Sequence, residues 1–250
     1  MEYVKITHDN LEREHICCAI SSNKDPQVAS KKAWLAERLD DGLVFLKSVE
    51  RGKCFIEYIP AESAWYPIDA SGYIHINCFW VSGSFKGHGY ANDLLAACVA
   101  DARARGKRGI TVVSSQKKAS FLSDPKYLAY KGFKVADTAA PYFTLMYLPF
   151  DDGAPPPAFK ACAKRPRIDK RGFTVYYTRG CPYPAKYVPL IESVAKSRGV
   201  EFESVLIDSV EKAQSAPTAW TNYAVFYNGE YVTNEILSEK KFAELVERLT

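Results

Sequence analysis

Residues 74–105 form the unit that most constrains the fold: a strand, a glycine-rich turn and an amphipathic helix in direct succession. Residues 74–81 are rich in β-formers, and Ser82-Gly83-Ser84 ends the run. Residues 86–91, Lys-Gly-His-Gly-Tyr-Ala, open a helix with apolar residues at helical spacing, namely Leu94, Leu95, Cys98 and Val99. Because the first amides of a helix lack intrahelical partners and glycine has no Cβ, this turn predicts an anion-binding site that suits phosphate.

Strand-like and helical runs surround this unit and predict a mixed α/β domain. Before it, the pattern predicts a short strand at 4–6, a helix over 27–39, and strands over 43–49, 54–59 and 73–81 in an antiparallel meander. After it come a predicted strand at 110–113, a short helix at 125–131 and a strand pair within 133–148.

A proline-rich segment divides the chain. Residues 151–157 read Asp-Asp-Gly-Ala-Pro-Pro-Pro, and a basic stretch follows up to Arg171. Consecutive prolines remove backbone donors and favour extended geometry. We therefore predict a first domain over 1–150, a Pro-rich basic linker over 151–171 and a second domain over 172–250. A long surface loop within one domain is the alternative, although loops of this length are uncommon.

The second part predicts a small α/β domain with the order β, α, β, short α, β, β, α. Its elements are a strand at 173–177, helices at 185–197 and 238–249, a strand at 202–207, and a hairpin of 219–227 with 230–232 across Asn228-Gly229. Cys181 lies in the turn before the first of these helices. Free amides and the helix dipole stabilise a thiolate there, so the position predicts a lowered pKa for Cys181 and a thiol site; a binding or structural role is the alternative.

Composition excludes several classes of function. Lys plus Arg is 33 and Asp plus Glu is 29, so the net charge of +4 is too small to predict binding to nucleic acid or to an anionic membrane. No apolar run approaches the roughly 20 residues of a membrane-spanning helix, and the N-terminus lacks a signal-peptide pattern, which predicts a cytoplasmic protein. The 7 cysteines are scattered without repeated Cys-x-x-Cys pairs, so we predict neither a disulfide framework nor a metal site.

The glycine-rich turn resembles motif A of the GNAT N-acetyltransferases, which is usually Gln/Arg-x-x-Gly-x-Gly/Ala. Lys86 stands at the Gln/Arg position, Gly89 at the first glycine and Ala91 at the last position. Residues 129–133, Ala-Tyr-Lys-Gly-Phe, resemble the family's late helix that ends in Gly-Phe. The resemblance covers about residues 1–148. It implies the GNAT acyl-CoA N-acyltransferase fold, a mixed and mostly antiparallel sheet with flanking helices, with acetyl-CoA as donor and direct transfer to an amine.

The resemblance also implies which residues bind the cofactor. Amides of 87–91 would hold the pyrophosphate, a lysine at 86 would contact phosphate as a point charge, and the backbone of 79–81 would pair with pantetheine. The cofactor-binding residues implied are Phe79, Trp80, Val81, Lys86, Gly87, His88, Gly89, Tyr90 and Ala91.

Three residues are candidates for acid–base catalysis. His75 occupies the strand position where some GNAT enzymes place a carboxylate base, and an imidazole titrates in the useful range; a hydrogen-bonded structural histidine is the alternative. Glu57 on the preceding strand is the alternative base. The family often has a tyrosine acid where this chain has Leu128, so the neighbouring Tyr127 is our candidate acid. Under strict strand alternation, Cys78 is predicted to face away from His75 as a buried apolar residue.

Residues 173–250 resemble thioredoxin-like domains, with Pro184 in place of the second cysteine and Pro217 at the family's cis-proline position. Both parts together resemble bacterial acetyltransferases with a YoaP-type C-terminal domain. This implies an N-acetyltransferase that acts on a primary amine, more on a small molecule than on a protein. The alternatives are a non-catalytic acyl-CoA sensor and a thiol-linked redox protein that uses Cys181. The acceptor and the oligomeric state, monomer or homodimer, stay open.

Overall fold

The computed structural model describes residues 1–16, 18 and 22–250, so Cys17 lies outside the described residues. Nine strands lie among the described residues up to position 160. In chain order they are β1 (Tyr3–Lys5), β2 (Val44–Ser48), β3 (Cys54–Pro60), β4 (Ile68–Asp69), β5 (Tyr73–Val81), β6 (Gly109–Ser115), β7 (Lys134–Ala139), β8 (Phe143–Pro149) and β9 (Ala158–Phe159).

Seven of these strands form one sheet in the order β1-β2-β3-β5-β6-β8-β7. All neighbouring pairs are antiparallel except β5 and β6, which run parallel. The parallel pair needs a crossover, and the helix that follows the glycine-rich turn supplies it. The prediction of a mixed, mostly antiparallel sheet with flanking helices is confirmed.

In the part of the chain that the structure describes, this sheet is accompanied by the helices α1 (Pro26–Leu39), α2 (Tyr90–Ala104), α3 (Pro125–Tyr130) and α4 (Ala161–Lys164). α1 begins at an N-cap, Asp25, whose carboxylate accepts a hydrogen bond from the amide of Gln27. The two long helices cover opposite faces of the sheet. Leu94 and Cys98 of α2 pack on one face, and Trp34 and Leu35 of α1 belong to the core on the other face.

β5 and β6 separate along their length. Their pairing runs from Tyr73 with Gly109 to Ile76 with Val112. Both strands continue beyond that point, β5 to Val81 and β6 to Ser115. Within the described chain no strand pairs with the facing edges of these extensions, which therefore border an open slot with unpaired backbone donors and acceptors.

The segment predicted to be a linker is partly packed into the core. β9 pairs with β4, and Phe159 and Ala163 are buried in the core on the α1 side of the sheet. Other residues of this segment, such as Asp152 and Pro156, are exposed. The division into domains at 150 and 171 stays a prediction.

The C-terminal part forms a second sheet with its own core. Its elements are β10 (Phe173–Tyr177), α5 (Pro184–Ser197), β11 (Phe202–Leu206), α6 (Val210–Gln214), β12 (Tyr223–Tyr227), β13 (Glu230–Thr233) and α7 (Glu239–Leu249), in the sheet order β11-β10-β12-β13. Phe173, Ile191 and Phe242 fill the space between this sheet and α5 and α7. Residues 207–220 instead join the core of the first sheet, so the two parts share a core.

Two details of the C-terminal part differ from prediction. The hairpin strand expected from 219 begins at Tyr223, because Thr221 points to the first sheet and donates a hydrogen bond to the carbonyl of Trp65 at 2.5 Å. The cis-proline expected at Pro217 is wrong, since the cis peptide found in the described chain is Ala140-Pro141. The thioredoxin-like character of this part stays a prediction.

None of the described helices combines the length and the apolar character needed to cross a bilayer. The cytoplasmic location stays a prediction.

Truncating Phe159 tests the packing of the proline-rich segment. Phe159 is 2% exposed, so Phe159→Ala leaves a cavity and should lower the free energy of unfolding by about 3–5 kcal/mol. The control Tyr130→Ala removes an aromatic ring that is 82% exposed and should change it by less than about 0.5 kcal/mol. Urea unfolding measures both. Equal small losses would show that the segment is an open linker.

Candidate active site

The glycine-rich turn has the geometry of an anion-binding loop. Gly87 and Gly89 have φ of +83° and +81°, a region that L side chains rarely adopt, and Gly89 is the N-cap of α2. Apart from the residues next to each glycine in the chain, no heavy atom lies within 4 Å of a Cβ built on either one, so no side chain from elsewhere in the described residues fills the corner. Among the described hydrogen bonds, the amides of 87–91 donate to no backbone carbonyl. Lys86 is exposed beside them.

The slot between β5 and β6 begins beside this loop. Phe79 and Trp80 of β5 line it, with Val112 and Val113 of β6 opposite. The backbone of 79–81 pairs with β3 on one side and faces the slot on the other. A chain with amide groups could therefore add to this edge as an extra strand.

A β-bulge in β5 puts two neighbouring side chains on one face of the sheet. Glu57 pairs with Cys78 and Tyr58 with Ile76, so Asn77 is the extra residue. Asn77 and Cys78 consequently both line a cavity on the α1 side. The prediction that Cys78 faces away from His75 is wrong, because His75 packs against Tyr66 of the same cavity and the bulge breaks strict alternation.

Glu57 lies in a buried hydrogen-bonded cluster at the base of this cavity. Lys31 Nζ is 2.6 Å from Glu57 Oε2, and each residue is 1% exposed. Asn77 Nδ2 donates to the other carboxylate oxygen, Oε1, at 3.1 Å. Lys31 also donates to the carbonyl of Gly180 at 2.6 Å, so one ammonium group links α1, β3 and the C-terminal part.

Lys31 and Asn77 are not among the site residues that the sequence predicted. Lys31 had a signal, because it falls between Val28 and Leu35 on the apolar face of α1, where a lysine needs a buried partner. Asn77 had none, because strand alternation cannot reveal a bulge.

The cavity lies between the two parts of the chain. It encloses about 780 Å³ of empty space, part of it open to solvent. The first part contributes Glu57, Asn77 and Cys78, and the C-terminal part contributes Cys181 and Trp220 among others. Asn77, Cys78, Trp80, Phe121 and Trp220 also line the slot, so the cavity and the slot meet at these residues.

His75 is fully buried and is not among the residues that line the cavity. Its Nδ1 is 2.9 Å from Thr111 Oγ1, and its Nε2 has no hydrogen-bond partner among the described residues. Burial disfavours the charged ring and lowers the pKa of His75 to about 3. The structure therefore places this imidazole as a neutral core residue at physiological pH.

Tyr127 of α3 lies near the slot. Its ring centroid is 5.8 Å from that of Phe79, and its hydroxyl donates to Asn92 Oδ1 at 3.3 Å. Burial raises the pKa of Tyr127 to about 12, so the phenol keeps its proton at neutral pH. Leu128, at the position where the family often has tyrosine, packs in the core instead.

Cys181 does not have the lowered pKa that its turn predicted. Burial raises the pKa of its thiol to about 12, because desolvation outweighs the amides near the start of α5. Cys18 and Cys78 share a hydrogen bond that, together with burial, raises the pKa of Cys18. The raised pKa values of Cys18 and Cys181 do not favour a thiol redox function, and with Cys78 these side chains form a polarisable apolar wall. Within residues 1–16, 18 and 22–250, no three His, Cys, Asp or Glu side chains are grouped to hold a metal ion.

Comparison with known proteins agrees with this geometry. The acetyltransferase (GNAT) family model matches residues 8–121, and a YoaP-like family model matches residues 202–243. A Bacillus subtilis (strain 168) protein described as "Uncharacterized N-acetyltransferase YoaP" is 44% identical over 250 residues, which is 100% of both chains.

Solved acetyltransferases are more distant. A GNAT family acetyltransferase from Brucella melitensis, in complex with acetyl-CoA, is 17% identical with a TM-score of 0.38, covering 64% of this chain and 96% of its own. The PaiA N-acetyltransferase from Thermoplasma acidophilum, in complex with coenzyme A, is 16% identical with a TM-score of 0.40, covering 60% and 100%. The family assignment rests on the full-length relative: the chain is an acetyltransferase of the GNAT family and carries a YoaP-like segment at its C-terminus.

Proposed function

We propose that the loop 86–91 and the edge 79–81 hold acetyl-CoA, and that the acetyl group passes to a primary amine in the cavity. One observation carries this proposal: the slot and the cavity meet at Asn77 and Cys78. A donor lying in the slot and an amine lying in the cavity would therefore come together at one point, close to Glu57. The GNAT relatives crystallised with acetyl-CoA or coenzyme A are consistent with this donor.

The residues of the loop suit a diphosphate. Five successive amides, from 87 to 91, have no backbone acceptor among the described hydrogen bonds, and the N-terminus of α2 adds its dipole. The exposed Lys86 supplies a positive charge beside them. The slot edge of 79–81 offers backbone donors and acceptors to the two amides of a pantetheine chain.

We propose Glu57 as the general base rather than His75. An ammonium group must lose a proton before its nitrogen can attack a carbonyl. Glu57 lines the cavity and is hydrogen-bonded to Asn77 at its junction with the slot, whereas His75 does not line the cavity. The lowered pKa of His75 also makes it a weak base near neutral pH.

The proposed reaction uses two protein groups. Bound acetyl-CoA supplies an acetyl thioester, whose carbonyl carbon gains a C–N bond and loses its C–S bond. Glu57 takes one proton of the ammonium group, directly or through a water, and the nitrogen releases its second proton to solvent once the C–N bond has formed. Tyr127, which keeps its proton at neutral pH, donates that proton to the departing thiolate.

The cofactor loop is tested by Gly89→Glu. A carboxylate at this position would occupy the anion site and repel the diphosphate, so acetyl-CoA affinity should fall by at least about tenfold in calorimetry. The control is Gly106→Glu, since Gly106 also has a positive φ, +65°, and open space, but at the other end of α2. Equal affinities in both variants would remove the loop from the proposal.

The base is tested by Glu57→Gln. Turnover with any accepted amine should fall by about 10²-fold or more, with acetyl-CoA affinity unchanged. The control is Glu62→Gln, whose carboxylate is paired with Lys107 at 3.1 Å on the surface. Thermal unfolding checks that the Lys31 left unpaired does not unfold the protein. A folded Glu57→Gln enzyme with wild-type turnover would contradict the assignment.

The neutral state of His75 predicts a pH-dependent stability. Above the ordinary pKa of 6.5, the ring is neutral in the folded and in the unfolded state. Between pH 6.5 and about pH 3, the ring binds a proton in the unfolded chain but stays neutral in the folded protein. As the pH falls below 6.5, this residue should therefore lower the free energy of unfolding of the wild type by about 1.4 kcal/mol per pH unit. The His75→Gln variant should not show this decrease. Urea unfolding at several pH values measures whether the difference in free energy of unfolding between wild type and variant becomes smaller as the pH falls. A constant difference would show that the imidazole titrates freely and would restore it as a candidate base.

A further inference from the structure

We infer that the C-terminal part forms one wall of the acceptor pocket, and that the acceptor is a small primary amine with an uncharged aromatic body. This inference rests on the proposed function and specifies its substrate class. Four observations carry it: the origin of the wall, its chemistry, its charge, and an unpaired polar atom at its base.

The C-terminal wall is held firmly against the first part. Lys31 reaches the carbonyl of Gly180, the hydroxyl of Tyr183 donates to the carbonyl of Cys18 at 2.8 Å, and Asn222 Nδ2 donates to the hydroxyl of Tyr66 at 3.0 Å. Each bond joins residues that line the cavity or lie at its base. The wall is therefore part of the folded core and not a loosely attached module.

The chemistry of the lining suits an aromatic ligand. Eight of the described lining residues are aromatic, and all 4 tryptophans of the chain are among them. The thiols of Cys18, Cys78 and Cys181 add polarisable surface. Aromatic rings gain from edge-to-face and offset contacts with one another, and they also attract an ammonium group.

The charge of the lining excludes a polycationic acceptor. Among the described residues that line the cavity, the charged ones are Lys53 and Glu57. The charge of Glu57 is balanced by Lys31 behind it, so the pocket offers no surplus of carboxylates for a second or third ammonium group. A polyamine would leave charges buried without partners, which is costly.

An unpaired oxygen marks the place of the amine. The Glu57 carboxylate can only accept hydrogen bonds. Asn77 must therefore turn its Nδ2 toward the carboxylate, which leaves its Oδ1 facing away from it. That Oδ1 is buried and has no hydrogen-bond partner among the described residues. An N–H of the acceptor would satisfy it beside the general base, at the junction of pocket and slot.

Tryptophan fluorescence tests this inference without requiring turnover. Because every tryptophan lines the pocket, 2-phenylethylamine should cause a saturable change in emission of the full-length protein, and spermidine and a lysine-containing tetrapeptide should not. In acetylation assays, 2-phenylethylamine should exceed both by at least about tenfold in kcat/KM. A saturable response to spermidine or the peptide, or none to 2-phenylethylamine, would overturn the substrate class.

Matched variants test the C-terminal wall. Cys181→Phe should fill the pocket and weaken 2-phenylethylamine binding by at least about tenfold, whereas Cys162→Phe, at an exposed cysteine outside the pocket, should not. If Cys181→Phe does not fold, Ile236→Ala is the second variant. It shortens a side chain in the same wall, enlarges the pocket and should shift the substrate preference toward larger aromatic amines. Wild-type binding in folded Cys181→Phe, or an unchanged size preference in Ile236→Ala, would overturn the inference. Calorimetry with acetyl-CoA reports separately on the proposed function.

Discussion

The site depends on one buried ammonium group, that of Lys31. It pairs with Glu57, donates to the carbonyl of Gly180 and lies 4.3 Å from the ring centroid of Trp34. Burying an ion pair is costly, and removing one partner alone costs about 3–5 kcal/mol because the other charge stays buried. Stability alone is therefore a poor reason for such a pair. Here it holds the proposed base at the end of the slot and binds the C-terminal part to the first sheet.

Irregular backbone creates the remaining features of the site. The separation of β5 from β6 opens the slot, and the bulge at Asn77 turns two successive side chains into the cavity. Regular strand pairing would have closed the slot and placed Cys78 on the opposite face of the sheet. The positive φ of Gly87 and Gly89 shapes the loop in the same way, since it leaves a run of amides directed to no backbone partner.

Desolvation decides the state of the groups that local arguments misjudge. An imidazole on a strand and a thiol before a helix both suggest reactive groups near neutral pH. Burial lowers the pKa of His75 and raises that of Cys181, because the charged form of each loses its hydration. The same effect keeps Tyr127 protonated, which suits an acid. In the proposed function, Glu57 therefore takes the role of base that strand position suggested for His75, and Tyr127 stays the candidate acid.

Local sequence determined the elements and the glycine-rich loop. Periodicity and turn residues predicted nearly every helix and strand, and the glycines of 86–91 predicted an anion site, because these features depend on neighbours along the chain. Sequence did not predict β4, β9 or α4, whose short runs form only against the core. The tertiary structure alone decided that Lys31 meets Glu57 and that Cys181 and Trp220 face Asn77 across one cavity. Those contacts join residues far apart in the chain, and burial, which sets their charge states, is a property of the whole fold.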